Sequence, residues 1–488
     1  MSTENIQLVL STTQDGRTKD LRYRQRQFQA LHGWIIQHSS EIQVALQTDD
    51  GLSELEAQFL IILMSNKLRE FYDSLDLKSE LDNEYSIKTG RDNAARMVSE
   101  DLVYVIPERW VVVPNVFSIL HACIAAGACC LVELPNDLRA STRLLRSALR
   151  EALDNTAFAT VSRRPPVDIL SRCIVVDQTG TFSAAGMQRL ISSETGAAAV
   201  AIVDRTADVD QAAQEILKSR IAFSGRSPYA PSYILVNEFV ETEFLDKLRR
   251  YASRQYRSSI KKVDSTDKTH TAQCVTKEDI PALADEIVLE APGFRLIKIS
   301  NRDELWKPVH QVSGARSGKL LATSSLDDAI DAINGTNQKA LLALYVFADP
   351  SAAKYLSQFI RTRVSFVNHI PTNILVWPGA PIGHPVSPES LYTRAMIESP
   401  SPQFVHSKED GLMLEDLLTG DSSRRSLDRL YQSSLRPLKS TGQPNPGSMN
   451  FFTQGLLVGA VFYLLPIVAV AAGGSVVLMK HLWKSKKI

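Results

Sequence analysis

The chain has 488 residues, of which 44% are apolar and 22% charged, and its 54 basic side chains balance 54 acidic ones. That length exceeds one ordinary core, so two or three domains are expected, and zero net charge removes the electrostatic case for a nucleic-acid partner. The five cysteines, Cys123, Cys129, Cys130, Cys173 and Cys274, show no metal-ligand spacing, and their odd number suits a reducing compartment.

Residues 1–20 carry no basic segment followed by an apolar run, so they read as a flexible N-terminus rather than a secretory signal. Apolar residues at helical spacing, Phe28, Leu31, Trp34, Ile35, Ile42 and Leu46, predict one long helix over 21–46, and a second is predicted over 53–75. The polar stretch 78–100 is expected at the surface. Strands are predicted over 101–107 and 110–113, then a helix over 117–126 with Gly127 at its C-cap. The rhythm continues as strand 129–133, helix 139–154, strands 157–161 and 172–176, and helix 183–192. This alternation argues for a mostly parallel, doubly wound α/β sheet.

From Glu194 the sequence reads as a small-residue strand, a helix capped by Asp208 and a Ser/Gly/Pro loop over 223–231. That loop holds no Cys, His or carboxylate, so nothing in it is a strong nucleophile. Strand 233–236, helix 240–256, helix 326–333, strand 342–347, helix 352–362 and strand 365–368 follow, with a charged loop at 258–276 and a Pro/Gly-rich loop at 370–384. Residues 401–448 read as a linker with one helical patch at Leu412–Leu418. Residues 456–478 carry no charge, and at about 1.5 Å per residue they span roughly 34 Å, enough to cross a bilayer core. Lys480, Lys484, Lys486 and Lys487 form a basic flank. A tail anchor with a cytosolic globular part is expected.

Six blocks then take on meaning together: IAAGACCLVEL (124–134), AIVDRTADVDQAAQEI (201–216), APSYILV (230–236), SLDDAIDAIN (325–334), ALYVFA (343–348) and FVN (366–368). Their order and spacing over about residues 20–400 resemble the aldehyde dehydrogenase superfamily, and the N-terminal helix and C-terminal anchor resemble its class 3, fatty aldehyde branch. The resemblance implies a Rossmann-type cofactor domain at 21–193, a second, catalytic-type α/β domain at 194–370 and a family C-terminal segment and linker at 371–448. A transmembrane helix at 456–478 and a basic tail at 479–488 follow. It also implies a Cys nucleophile, an oxyanion-binding Asn, a general-base Glu and NAD or NADP as cofactor.

At the matching positions this chain departs from the pattern. Pro228 stands where the nucleophilic Cys is expected, and proline has neither a nucleophile nor an N–H. Ser227 is adjacent and is a weak substitute. Glu194 keeps the general-base position. No Asn falls in the Arg109–Pro114 segment, and Asn115 lies on the wrong side of the proline. The positions matched to cofactor binding are degenerate: Glu133 replaces a ribose-binding Lys, Gln311 replaces a ribose-binding Glu, and Gly180 belongs to a partial pyrophosphate turn. About ten residues are missing between that turn and Glu194. The expectation is a membrane-anchored, catalytically inactive aldehyde-dehydrogenase-like protein that holds NAD, NADP or no cofactor. Its expected partners are a membrane and a second copy or an active homologue, with the endoplasmic reticulum favoured over the mitochondrial outer membrane or peroxisome. The alternative is NAD(P)-dependent oxidation of a hydrophobic aldehyde.

Overall fold

A computed structural model describes residues 2–183, 186–187, 189–263, 286–291, 294–307, 316–335, 340–405, 424–439 and 453–464. Five helices lead the chain: α1 (Ser2–Asp15), α2 (Leu21–Gln37), α3 (Ser39–Asp50), α4 (Glu54–Asp73) and α5 (Leu77–Glu84). A short strand β1 (Met97–Ser99) precedes the first sheet, built from β2 (Leu102–Ile106), β3 (Cys129–Glu133), β4 (Phe158–Val161), β5 (Ile174–Asp177) and β6 (Arg189–Ser192). Its helices are α6 (Val112–Ala126), α7 (Ala140–Glu151) and the single turn α8 (Val167–Leu170). The five strands pair in the order β4-β3-β2-β5-β6, all parallel.

The chain leaves that sheet at Ser192 and enters a second one at Ala199. The second sheet contains β7 (Ala199–Val203), β8 (Tyr233–Asn237), β9 (Glu286–Ala291), β10 (Phe294–Ile299), β11 (Arg316–Thr323), β12 (Ala343–Phe347) and β13 (Ser365–Val367). They pair in the order β13-β12-β7-β8-β11-β10-β9, parallel except for β9. Helices α9 (Val209–Ile221), α10 (Glu241–Val263), α11 (Leu326–Asn334) and α12 (Pro350–Phe359) accompany it. A last strand, β14 (Glu398–Pro400), returns to pair antiparallel with β1. The central strands β2, β7 and β12 are buried along their whole length, as parallel strands covered on both faces must be. Helix α6 is buried at every position, and Gly127 ends it at φ 88°, donating its N–H to Cys123 and Ile124.

Four sequence expectations change. Residues 2–15 form α1, whose Ile6 and Val9 are buried and whose Asn5 side chain donates to the Thr160 carbonyl beside β4. The long helix over 21–46 is broken at His38, whose ring stacks on Trp34 and shares that residue's carbonyl. The predicted strand Trp110–Val113 is the entry to α6. The Val111 N–H is captured by the Asp50 carboxylate, and Val111 takes a left-handed φ of 43° as the N-cap. The predicted helix 183–192 ends instead as β6, because the open edge of β5 offers unpaired backbone groups that Arg189–Ser192 satisfy in register. Leu412–Leu418, Gln311 and Cys274 lie outside the described residues, as does the chain beyond 464.

Residues 406–488 form a separate unit containing helix Arg424–Ser434 and a helical segment over 453–464. Among the described residues no helix is long and apolar enough to cross a membrane. The segment 453–464 nevertheless leaves Leu456, Val458, Val461, Phe462 and Tyr463 exposed.

One buried group of α6 has a measurable consequence. His121 is fully enclosed near Phe28, Phe71 and Phe117, and neither ring nitrogen finds a partner among the described residues. Burial, with the Lys67 charge adding to it, pushes the imidazole down to about 3. The unfolded chain therefore binds a proton that the folded one refuses, so stability falls as pH drops from about 6.5 towards 3. His121→Leu is expected to raise stability by about 1–3 kcal/mol at neutral pH by removing unpartnered polar atoms. Its thermal midpoint should exceed the wild type's by a margin that widens as pH falls below 6.5; a constant margin would show that His121 does not carry the acid sensitivity.

Candidate functional site

The loop that carries Pro228 is held in an unfavourable shape. Phe223 and Ser224, just past α9, have φ values of 53° and 58°, and left-handed non-glycine residues cost on the order of 1–3 kcal/mol each. The Phe223 N–H donates to Glu56 at 2.6 Å, and the Ser224 hydroxyl donates to the Gly51 carbonyl at 3.0 Å. Glu56 also closes the capping box at the start of α4 with Ser53. One carboxylate thus fastens the N-terminal helices to the loop. Beyond it, the Ser227 hydroxyl accepts the Tyr229 N–H at 3.2 Å, and the Tyr229 hydroxyl accepts the Ala380 N–H at 2.9 Å. Arg220 donates to the Ala230 carbonyl and lies over the Phe294 ring.

Glu194 sits between the two sheets. Its N–H donates to the Ala380 carbonyl, and its own carbonyl packs so closely on Gly379 that a Cβ there would lie 2.4 Å away, so only glycine fits. Arg363 lies 3.3 Å from its carboxylate and also donates to the carbonyls of Ala380, Pro381 and His384. The retained carboxylate is therefore tied to a guanidinium that is itself fixed by backbone.

A third wall comes from the end of α3. Asp49 accepts the Ser141 N–H at 2.7 Å, so a carboxylate from one helix caps the N-terminus of α7. Asp50 accepts the Val111 N–H at 3.2 Å and pairs with Arg139 at 2.8 Å. Burial raises the Asp50 carboxyl above its ordinary range, against the lowering by the Val111 N–H and Arg139. Two consecutive acids at a helix C-terminus oppose the helix dipole. That was the sequence signal by which Asp49 and Asp50 could have been found.

These walls enclose one cavity of about 530 Å³, lined by Pro228 and Glu194 together with Gln178, Thr179, Trp110 and Gly379. Pro228 and Glu194 are thus brought to one site. Ser227 is buried and does not line it. The lining holds four carboxylates, Asp49, Asp50, Glu108 and Glu194, and three guanidiniums, Arg109, Arg139 and Arg226, but no Cys and no His. Asn115 is fully buried, with its amide nitrogen donating to the Trp110 carbonyl, and offers no oxyanion donor here. Burial pushes the Cys129 and Cys173 thiols up to about 12, and Cys123 rises for the same reason, so these three are not activated. Among the described residues the cavity lining offers no thiol and no imidazole.

Of the cofactor positions, Glu133 lies at the end of β3 and Gly180 in the turn after β5, while Gln311 lies outside the described residues. Glu133 accepts the Tyr104 hydroxyl at 2.5 Å and pairs with Arg164 at 3.2 Å. Gly180 has φ 64°, and a Cβ there would lie 2.4 Å from both the Ser193 carbonyl and the Thr195 methyl.

Comparison with known proteins agrees with this architecture. The model of the Aldehyde dehydrogenase family matches residues 179–267. Mouse aldehyde dehydrogenase family 3 member A2 is 24% identical over 362 residues, covering 68% of this chain and 72% of that protein. The dimeric NADP-preferring aldehyde dehydrogenase of dog is 23% identical over 288 residues, covering 53% of this chain and 60% of that protein. Among solved structures, Staphylococcus aureus AldH in a substrate-bound state superposes with a TM-score of 0.64 at 16% identity, over 88% of this chain and 99% of that one. Staphylococcus aureus betaine aldehyde dehydrogenase, solved with NAD+, gives 0.56 at 13% identity, over 76% and 81%.

The cavity wall can be probed chemically. Pro228→Cys places a thiol in the lining, and a small alkylating reagent is expected to modify position 228 in the native protein before Cys123, Cys129, Cys130 and Cys173, all of which are buried. Peptide mapping by mass spectrometry locates the label. Modification of position 228 only on unfolding would show that it does not face the cavity.

Proposed function

We propose that this chain, similar in sequence to aldehyde dehydrogenases and sharing their fold, does not oxidise aldehydes through a thiol and serves instead as a membrane-associated, non-catalytic partner protein. The observation that carries this reading is Pro228 in the wall of the cavity that also holds Glu194. The side chain at that position has no lone pair to attack a carbonyl and no N–H to stabilise the resulting oxyanion. Glu194 keeps its place, but a base that activates water for deacylation has no acyl-enzyme to act on.

Two features support the rest of the proposal. The uncharged stretch from 456 to 478 is long enough to cross a bilayer, and its described part, up to 464, exposes apolar side chains along a helix. The strand β13 pairs only with β12 among the described residues, leaving a sheet edge that a second copy or an active relative can cover. The endoplasmic reticulum is the proposed membrane. Oxidation of a hydrophobic aldehyde fits less well, because no thiol lines the cavity.

Full-length protein in detergent, given a long-chain aldehyde with NAD+ or NADP+, is expected to reduce cofactor at a rate on the order of 10⁶-fold below that of an active relative. Turnover near the relative's rate that is abolished by Ser227→Ala or Glu194→Gln would overturn the proposal. Deleting residues 449–488 is expected to convert the protein from resisting alkaline carbonate extraction to being released by it. Release of the full-length chain by the same treatment would remove the membrane from the proposal.

A further inference from the structure

The unit that begins at residue 406 contains the helix Arg424–Ser434, and the charge of the chain changes sharply around it. Residues 424–439 hold five basic residues, Arg424, Arg425, Arg429, Arg436 and Lys439, against one acid, Asp428. After Lys439 no charged residue occurs until Lys480. This basic set is therefore the last charge on the chain before the apolar stretch 456–478.

The helix has two unlike faces. At 3.6 residues per turn, Leu427, Leu430, Tyr431 and Ser434 fall on one side, and Asp428, Arg429, Gln432 and Ser433 on the other. The Leu435 N–H still donates to the Tyr431 carbonyl and the Arg436 N–H to the Ser433 carbonyl, so the helical turn carries on past Ser434. Leu430, Tyr431, Leu435 and Leu438 are all exposed. Ser434 does not spoil the apolar side, because its hydroxyl donates to the Tyr431 carbonyl at 2.8 Å and keeps that partner when the face leaves water. Arg429, Arg436 and Lys439 are exposed, and none forms an ion pair among the described residues.

An apolar side joined to a cationic one matches the boundary of an anionic membrane, where leucines enter the acyl region and Lys or Arg meets the headgroups. A purely apolar groove would match the leucines and leave the cations without a counter-charge. The bilayer is also within reach. Sixteen residues, 440–455, join Lys439 to Leu456, and fully extended they span at most about 55 Å. A segment tethered so closely meets the surface at high effective concentration, so weak attraction per residue suffices. The leucine-bearing acidic stretch 409–418 is the competing occupant. The exposed set favours the membrane, because it continues past the helix through Leu435, Arg436, Leu438 and Lys439, along the chain towards 456 and away from 409–418.

From these features we infer that residues 424–439 bind an anionic lipid surface, with the leucines and Tyr431 at the boundary of the acyl region and Arg429, Arg436 and Lys439 on the headgroups. The inference rests on the membrane reading given above and adds a choice of lipid to it. The span alone is indifferent to headgroup charge, whereas this helix makes the chain prefer a membrane whose facing leaflet is anionic.

The test uses the full-length protein reconstituted into vesicles of phosphatidylcholine alone or with about one-third phosphatidylserine. Chymotryptic cleavage after Tyr431 is followed by mass spectrometry. Cleavage is expected to be slower by roughly 10-fold on the anionic vesicles, and the protection is expected to fade in about 0.5 M salt, where charges are screened within a few ångströms. Replacing Arg429→Gln, Arg436→Gln and Lys439→Gln together is expected to abolish the protection, since three cations at such a surface change partitioning by on the order of 100-fold. Leu435→Ser with Leu438→Ser is expected to abolish it with the charge unchanged. Equal cleavage on the two vesicles overturns the inference, as does protection that survives the triple replacement. Slow cleavage on both vesicles and in detergent also overturns it, because the helix then packs on the chain itself, 409–418 included. Carbonate extraction of the same vesicles keeps the two readings apart. Protein that resists extraction but shows no lipid-dependent protection sinks the helix alone, and protein released from both vesicles sinks the membrane reading and this inference with it.

Discussion

The short link between β5 and β6 is the constraint from which the centre of this molecule follows. Parallel neighbours are normally joined by about a dozen residues or more, usually with a helix. Here residues 178–188 must carry the chain from Asp177 back to the start of β6. Among the described residues of that link, the Asp177 carboxylate closes a turn by accepting the Thr179 and Phe182 N–H groups. Ser193 then returns its N–H to the Asp177 carbonyl, which sets Glu194 against Gly379 at the junction of the two sheets. The same Asp-x-Thr closure recurs at Asp154 with Thr156 and at Asp204 with Thr206, so it is a stable local arrangement that needs no ligand to form.

Around that junction strained backbone and buried polar contacts frame the cavity. The strained pair Phe223 and Ser224 is still enforced by Glu56 and Gly51, and the loop beyond is still pinned by Tyr229, Arg220 and Ala380. Such strain persists only where surrounding structure over-determines it. What that structure presents to the cavity is a proline. Two carboxylates of its lining are paired, Asp50 with Arg139 and Glu194 with Arg363 behind it. Pairs of this kind position elements more than they add stability, because the cost of desolvating both charges offsets most of their attraction. Asp49 and Asp50 show the positioning directly, since one caps α7 and the other sets the entry to α6.

Residues placed by periodicity against a strand or a helix were legible before any coordinates. Pro228 and Glu194 were located by the resemblance of the blocks around them to the aldehyde dehydrogenase pattern, not by periodicity. Glu133 was singled out by the same resemblance, and pattern alone gave only the apolar strand it ends. Elsewhere local preference and tertiary context disagreed. Trp110–Val113 has the composition of a strand, but the Asp50 carboxylate turns it into a helix start. Residues 183–192 have the spacing of a helix, but the open edge of β5 draws the last four into the sheet. Gln178, Arg139, Arg164 and Arg363 each act through a partner 30 or more residues away on another element, so no local pattern marks them.

The sequence by itself determined the class of fold and the presence of Pro228 and Glu194 at its turns, because these depend on residue type and on short-range order. Only the tertiary structure decided that Pro228 and Glu194 share one cavity, that its lining mixes charged and apolar side chains, and which partners Asp177, Gln178 and Glu133 take. Those outcomes depend on which donors and acceptors meet across the fold. A buried polar group takes whatever partner the packing brings within reach, and spacing along the chain does not specify that partner.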